Sequence, residues 1–163
     1  MRRSLCLAGL FLLSNAALSS PVQEYPPAHQ GLISIKSPYS VKITADRLED
    51  VLRNSGMKIF LRIDHALNAQ KVGIDINPNQ LILFGNPKIG SKLMLCAQTI
   101  GIDLPLKALV SEDKTGSVWL RFNDPIYLAK RHQFSCSAIT KKTSKALHQF
   151  ANEAISQQSS IRK

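Results

Sequence analysis

The sequence predicts an α+β fold: two layers, a mainly antiparallel sheet with helices packed on one face. Three observations lead there. Short stretches alternate apolar and polar residues with period two, as in residues 57–63 (MKIFLRI). Two such stretches are joined by a hairpin-length connection ending in Gly116. Segments with helical spacing and capping residues interleave with them. The chain has 163 residues, 44% hydrophobic and 20% charged, which suits one core and excludes a disordered chain.

The elements follow in order. Residues 31–37 alternate, with Ile33 and Ile35 on one face, and read as a strand. Thr44 is the expected N-cap of a helix through Ser55, with Leu48, Val51 and Leu52 as its buried stripe and Gly56 as the left-handed stop. Residues 57–63 predict a half-buried strand with Met57, Ile59, Leu61 and Ile63 on one side and Lys58 and Arg62 on the other. Asp64, His65 and Ala66 open a short helical or looped piece that closes near Gly73. The run 80–84 (QLILF) predicts a central strand ended by Gly85, Asn86 and Pro87. Ser91 is the expected cap of a helix to about Thr99. Residues 104–110 and 117–122 form the hairpin strands around 112–116. Asp124 and Pro125 are the N-cap and first helical position of another short helix. Residues 141–157 close the chain as a helix with Leu147, Phe150 and Ala151 on its apolar side. With helices on one side, the second face of the sheet is left partly bare, a natural surface for a homodimer.

The two ends differ from this body. Met1, Arg2 and Arg3 precede the apolar run 5–13, and small or polar residues follow from Ser14 to Ser20. This is the layout of a secretory signal, with cleavage expected after Ser19. The run is too short for a membrane span, which needs ~20 apolar residues. The expected organisation is a signal peptide over 1–19, a proline-rich lead-in over 20–30, the α+β domain over 31–133 and a basic C-terminal helix and tail over 134–163. The protein is thus expected to be exported, periplasmic or secreted. Cleavage removes Cys6 and leaves Cys96 and Cys136, which an oxidising compartment allows to pair; two buried thiols are the alternative.

Lys and Arg number 21 against 11 acidic residues, a net charge of +10. The basic excess concentrates in 129–163, where Phe150 is the one aromatic beyond residue 134. Nucleic-acid surfaces interleave basic and aromatic side chains, so a solvated end is favoured over a nucleic-acid partner.

Several residues carry chemistry. Residues 85–92 (GNPKIGSK) match the spacing of a phosphate-cradling loop, but Ser91 and Lys92 stand in the reverse order of its final pair. A helix start beside Lys88 and Lys92 suits an anion at most. His65, next to Asp64, is the candidate general acid or base. Lys107 lies in an apolar strand, and Asn123 precedes a helix start. No His or Cys pair has metal-ligand spacing, so no metal site is expected, and no cofactor is indicated.

The segments 63–66 (IDHA), 84–94 (FGNPKIGSKLM), 102–110 (IDLPLKALV) and 122–132 (FNDPIYLAKRH), in that order, resemble the family of domains of unknown function numbered 302. The resemblance covers roughly residues 31 to 133 and implies a compact two-layer α+β domain that forms dimers, with no settled activity or cofactor. Its matching positions are Asp64, His65, Gly85, Asn86, Pro87, Leu104, Pro105, Lys107, Asn123 and Asp124. The secretory start, both mature cysteines and the helix from 140 onward lie outside that pattern. The expected function is an exported domain that binds a small ligand or anion through Asp64, His65, Asn86, Lys107 and Asn123. Gly85, Pro87, Pro105 and Asp124 then shape the backbone. The alternatives are an enzyme using His65, or an interaction module docking through the basic tail. Both pocket readings require His65, Asn86 and Lys107 to converge.

Overall fold

A computed structural model describes residues 31–157. The expected signal peptide and lead-in, His29 and the final residues 158–163 lie outside it. Five strands form one antiparallel sheet in the order β1-β5-β4-β3-β2. They are β1 (Leu32–Ser37), β2 (Lys58–Asp64), β3 (Asn79–Gly85), β4 (Leu106–Glu112) and β5 (Val118–Asn123). The helices are α1 (Val41–Asn54), α2 (His65–Gln70), α3 (Pro87–Cys96), α4 (Pro125–Arg131) and α5 (Ser137–Ile155), with a 3-10 segment at Gln98–Asp103. The architecture is the α+β fold expected.

Strand alternation sorts each side chain to one of two faces. The inner face carries Ile82, Phe84, Ala108, Val110, Leu120 and Phe122, all buried beneath α1 and α5. The apolar sides of α1 (Ala45, Leu48, Leu52) and α5 (Leu147, Phe150, Ala154) complete that core. A second cluster, Leu93, Ile100 and Leu128, joins α3, the 3-10 segment and α4 at one end of the sheet. Gly31 (φ 87°) is forced at the entry to β1: a Cβ there would lie 2.0 Å from the Tyr127 ring, while its carbonyl accepts from Asp124 N at 2.8 Å.

Several expectations are corrected. The first helix begins at Val41, capped by Ser40, and Thr44 is buried inside it, its hydroxyl 2.6 Å from Ser37 Oγ and 2.9 Å from the Ser40 carbonyl. A threonine that finds partners within the helix has no need of the cap position. The third helix begins at Pro87, capped by Asn86, so Ser91 is mid-helix and residues 87–92 form no phosphate loop. The strand expected at 104 starts at Leu106, after the cis Leu104–Pro105 bond. The last helix starts at Ser137 and is part of the main core, so it is no appendage to a domain ending at 133.

In β2 a bulge between Ile59 and Leu61 shifts the register. Leu61 therefore sits opposite Leu83 on the outer face. Arg62, opposite Ile82, turns toward α1 and pairs with Asp46 at 2.6 Å and Glu49 at 3.6 Å. Period-two reading across an inserted residue inverts the second half of a strand, which is why Leu61, Arg62 and Ile63 lie on the sides opposite to those expected.

Candidate functional site

The register separates the residues expected to share a pocket. Asp64 pairs with Gln80 at one end of the β2–β3 ladder, and Lys58 pairs with Gly85 at the other. His65 and Asn86 lie just beyond those opposite ends, about 20 Å apart at ~3.3 Å per residue. The shared site of His65, Asn86 and Lys107 is therefore not formed.

Most of these groups have a local task instead, while His65 opens α2. Asp64 caps α2, accepting from Leu67 N at 2.9 Å and Gln80 Nε2 at 2.8 Å, and these bonds hold its carboxyl below the usual range. It does not orient the His65 imidazole. Asn86 caps α3 through Lys88 N and donates to the Gly56 carbonyl at 3.3 Å. Lys107 Nζ donates to the carbonyls of Asp103 and Pro105, each at 3.1 Å. Asp124 caps α4 and accepts from Ser144 Oγ at 2.9 Å. Lys107 and Asn123 each stand one residue beyond the Ala108–Phe122 pair, so these two alone of the expected binding set are strand neighbours.

The pairing of Cys96 with Cys136 is formed, with a Cα–Cα distance of 6.2 Å, and it ties the end of α3 to the start of α5. Beside it lies a cluster that sequence reasoning passed over. His132 Nε2 is 2.6 Å from Asp103 Oδ2, and Nδ1 is 3.0 Å from Thr99 Oγ1. Arg131 approaches the other Asp103 oxygen at 3.5 Å. The His132 and Asp103 side chains are 8% and 13% exposed, so the pair clamps the 3-10 segment onto the end of α4. Both residues lie in segments that carry the family resemblance, but nothing in those segments pairs one with the other. Among the described residues, no group of three or more His, Cys, Asp or Glu side chains is placed to hold a metal ion.

The outer face of the sheet is a further organised surface. Leu61, Ile63, Leu81, Leu83 and Leu109 occupy its β2–β3–β4 half, and none belongs to either hydrophobic cluster. Lys36, Trp119 and Arg121 occupy the β1–β5 half. Arg121 lies 5.4 Å from the Trp119 ring centroid and donates to Ser111 Oγ at 2.8 Å. Partial burial pulls its guanidinium down from the usual arginine value, and the Asp113 carboxylate pulls the other way. Asp113 closes the hairpin at the margin, accepting from Trp119 Nε1 at 2.7 Å, Thr115 N at 2.8 Å and Ser117 N at 3.0 Å. A separate groove of about 180 Å³ between α4 and α5 is lined by Ile126, Lys130, Phe134 and Lys141, and by none of the residues expected to bind.

Comparison with known proteins fits this architecture. The crystal structure of an uncharacterized conserved DUF302 protein from Bacillus stearothermophilus superposes with a TM-score of 0.70, at 18% identity, over 76% of this chain and 98% of that one. Two curated relatives, both named fluoride-specific ion channel FluC 1, come from Brucella suis biovar 1 (strain 1330) and Brucella abortus biovar 1 (strain 9-941). Each is 41% identical over 121 residues. The match covers 72% of this chain but 48% and 45% of theirs, so the chain spans about half the length of these relatives. No helix of the described residues is long and apolar enough to cross a membrane. The domain of unknown function DUF302 matches residues 33–153, which takes in nearly all of α5, and the chain belongs to that family.

Proposed function

We propose that this chain is an exported, non-catalytic assembly domain whose two copies pair through the outer faces of their sheets. The observation that supports it is the apolar half of that face: five aliphatic side chains from three adjacent strands, outside both cores. A two-fold axis through that half sets apolar on apolar, with Lys107 at its end, opposite Leu83, turned onto the Asp103 and Pro105 carbonyls, and Lys36 and Arg121 toward the rim, where their charge stays solvated. The apolar half, three strands wide, measures about 14 by 20 Å, so pairing through it covers on the order of 600 Å² over two copies, the size of a weak, reversible contact.

Export is supported by the basic-apolar-small start of the sequence and by the Cys96–Cys136 bond, since such bonds persist in oxidising compartments. In the curated relatives the matched domain is about half of a protein named as an ion channel. We read the domain there as a pairing unit joined to a membrane protein. Small-ligand binding and His65 catalysis lose their support with the separation of His65 from Asn86. Docking by a free basic tail loses its support with the packing of α5.

Sedimentation equilibrium tests the reading. The parent chain is expected as a dimer and Leu61→Asp as a folded monomer, because Leu61 is 51% exposed in the single chain and leaves no core void. A monomeric parent overturns the proposal, as does a Leu61→Asp dimer of unchanged affinity.

A further inference from the structure

A second surface lies away from the sheet face, at the corner where α3 meets the 3-10 segment. Leu95 is 88% exposed and Ile102 is 75% exposed, the most protruding aliphatic side chains of the described chain. Met94, the residue before Leu95, is also exposed, and its Sδ lies against Gly101, the residue before Ile102. Isolated exposed aliphatics are ordinary, but three at one corner, on ordered secondary structure, are not.

The exposed charges around the corner are basic. Lys88, Ser91, Lys92 and Leu95 follow helical spacing on the exposed side of α3, so two ammonium groups trail the protruding leucine. Arg131, half exposed, reaches the corner through Asp103, the residue after Ile102. Asp103 is the acid of this corner, and it is largely buried against His132.

The corner is also held rigidly. The Cys96–Cys136 bond fixes the residue after Leu95, and the bonds from His132 to Thr99 and Asp103 fix the segment bearing Ile102. Leu93 and Ile100 anchor the same two segments in the second core cluster. Two aliphatic side chains are thus presented outward on a braced support at little cost in ordering entropy.

We infer that this corner is a membrane-surface contact that seats Leu95 and Ile102 among the acyl chains of a bilayer while Lys88, Lys92 and Arg131 meet anionic headgroups. Its chemistry is that of peripheral anchors, with apolar insertion and basic flanks each supplying part of the affinity. A protein partner fits less well, because binding hot spots are rich in Trp and Tyr seated in pockets, whereas this corner projects and is aliphatic. The inference is independent of pairing through the sheet face, since the residues involved differ.

Vesicle flotation tests it, using the chain from Ser20 onward, which keeps every described element without the apolar N-terminal run. The chain is expected to float with vesicles of equal phosphatidylcholine and phosphatidylglycerol and to stay below with phosphatidylcholine alone. Leu95→Glu with Ile102→Glu is expected to lower the bound fraction at least ~10-fold, and Lys92→Glu several-fold, with far-UV circular dichroism unchanged. Leu95→Ala with Ile102→Ala supplies the same comparison without new charge. Absence of flotation by the parent, or equal flotation by the alanine pair, overturns the inference. Equal binding to the uncharged vesicles overturns the headgroup assignment. A Leu95-dependent cross-link to a membrane protein, without vesicle binding, assigns the corner to a protein and overturns it as well.

Discussion

The two faces of the sheet are built from the same strands, yet they meet different fates. On the inner side Ile82, Val110 and Leu120 are fully buried beneath α1 and α5. On the outer side Leu81, Leu83 and Leu109, each next in sequence or register to a core residue, join no cluster. The contrast shows that strand hydrophobicity alone does not make a core: covering helices do. Residues 80–84 read as a continuous apolar run because the strand is apolar toward both a helix layer and an open surface.

Paired truncations probe the contrast most strongly. Leu120→Ala is expected to cost about 2–5 kcal/mol in urea unfolding, because its site lies under two helices and cannot collapse. Leu109→Ala, measured at concentrations where the chain is monomeric, is expected to cost less than about 1 kcal/mol. Equal costs would mean that another part of the molecule covers the outer face. An effect between these two is expected at the inner edge, where Arg62 joins β2 to α1 through Asp46 and Glu49. Arg62→Met is expected to cost about 1–2 kcal/mol, read by the same titration.

The smallest effect belongs to the outer margin and appears on acidification. Hydrogen bonds from Thr115, Trp119 and Ser117 hold the Asp113 carboxyl well below its ordinary value. The unfolded chain therefore takes up this proton first as pH falls. The stabilisation is present above about pH 4 and is lost progressively below it. The melting temperature of the parent is expected to fall more steeply below about pH 4 than that of Asp113→Asn, with Trp119 fluorescence reporting the hairpin. Parallel curves for the two proteins would remove Asp113 from the account.

What the sequence disclosed follows the range of the forces involved. The Asp124–Pro125 start of α4 was legible because cap and first-turn chemistry is local. Thr44 misled because its hydroxyl is satisfied by Ser37 and Ser40, contacts that exist only once the strand and helix have met. Arg62 misled because a bulge has no residue signature in this strand. The fold class was legible and the family resemblance was right, but the resemblance stopped short of α5, whose apolar stripe was visible all along. The expected pocket failed for a different reason. Residues gathered by family membership carry no distance information, and the β2–β3 ladder places His65 and Asn86 at opposite ends. The His132–Asp103 contact spans 29 residues and was invisible to any local pattern.

The irregularity in β2 reaches beyond its own strand. A border that switches sides midway offers an incoming strand no continuous row of partners, so ribbons cannot lengthen sideways from it. Growth by annexing further strands is discouraged there, while stacking of one broad surface on another stays open. A stack of two uses up both surfaces, which makes a closed pair the natural end point and a filament an unnatural one.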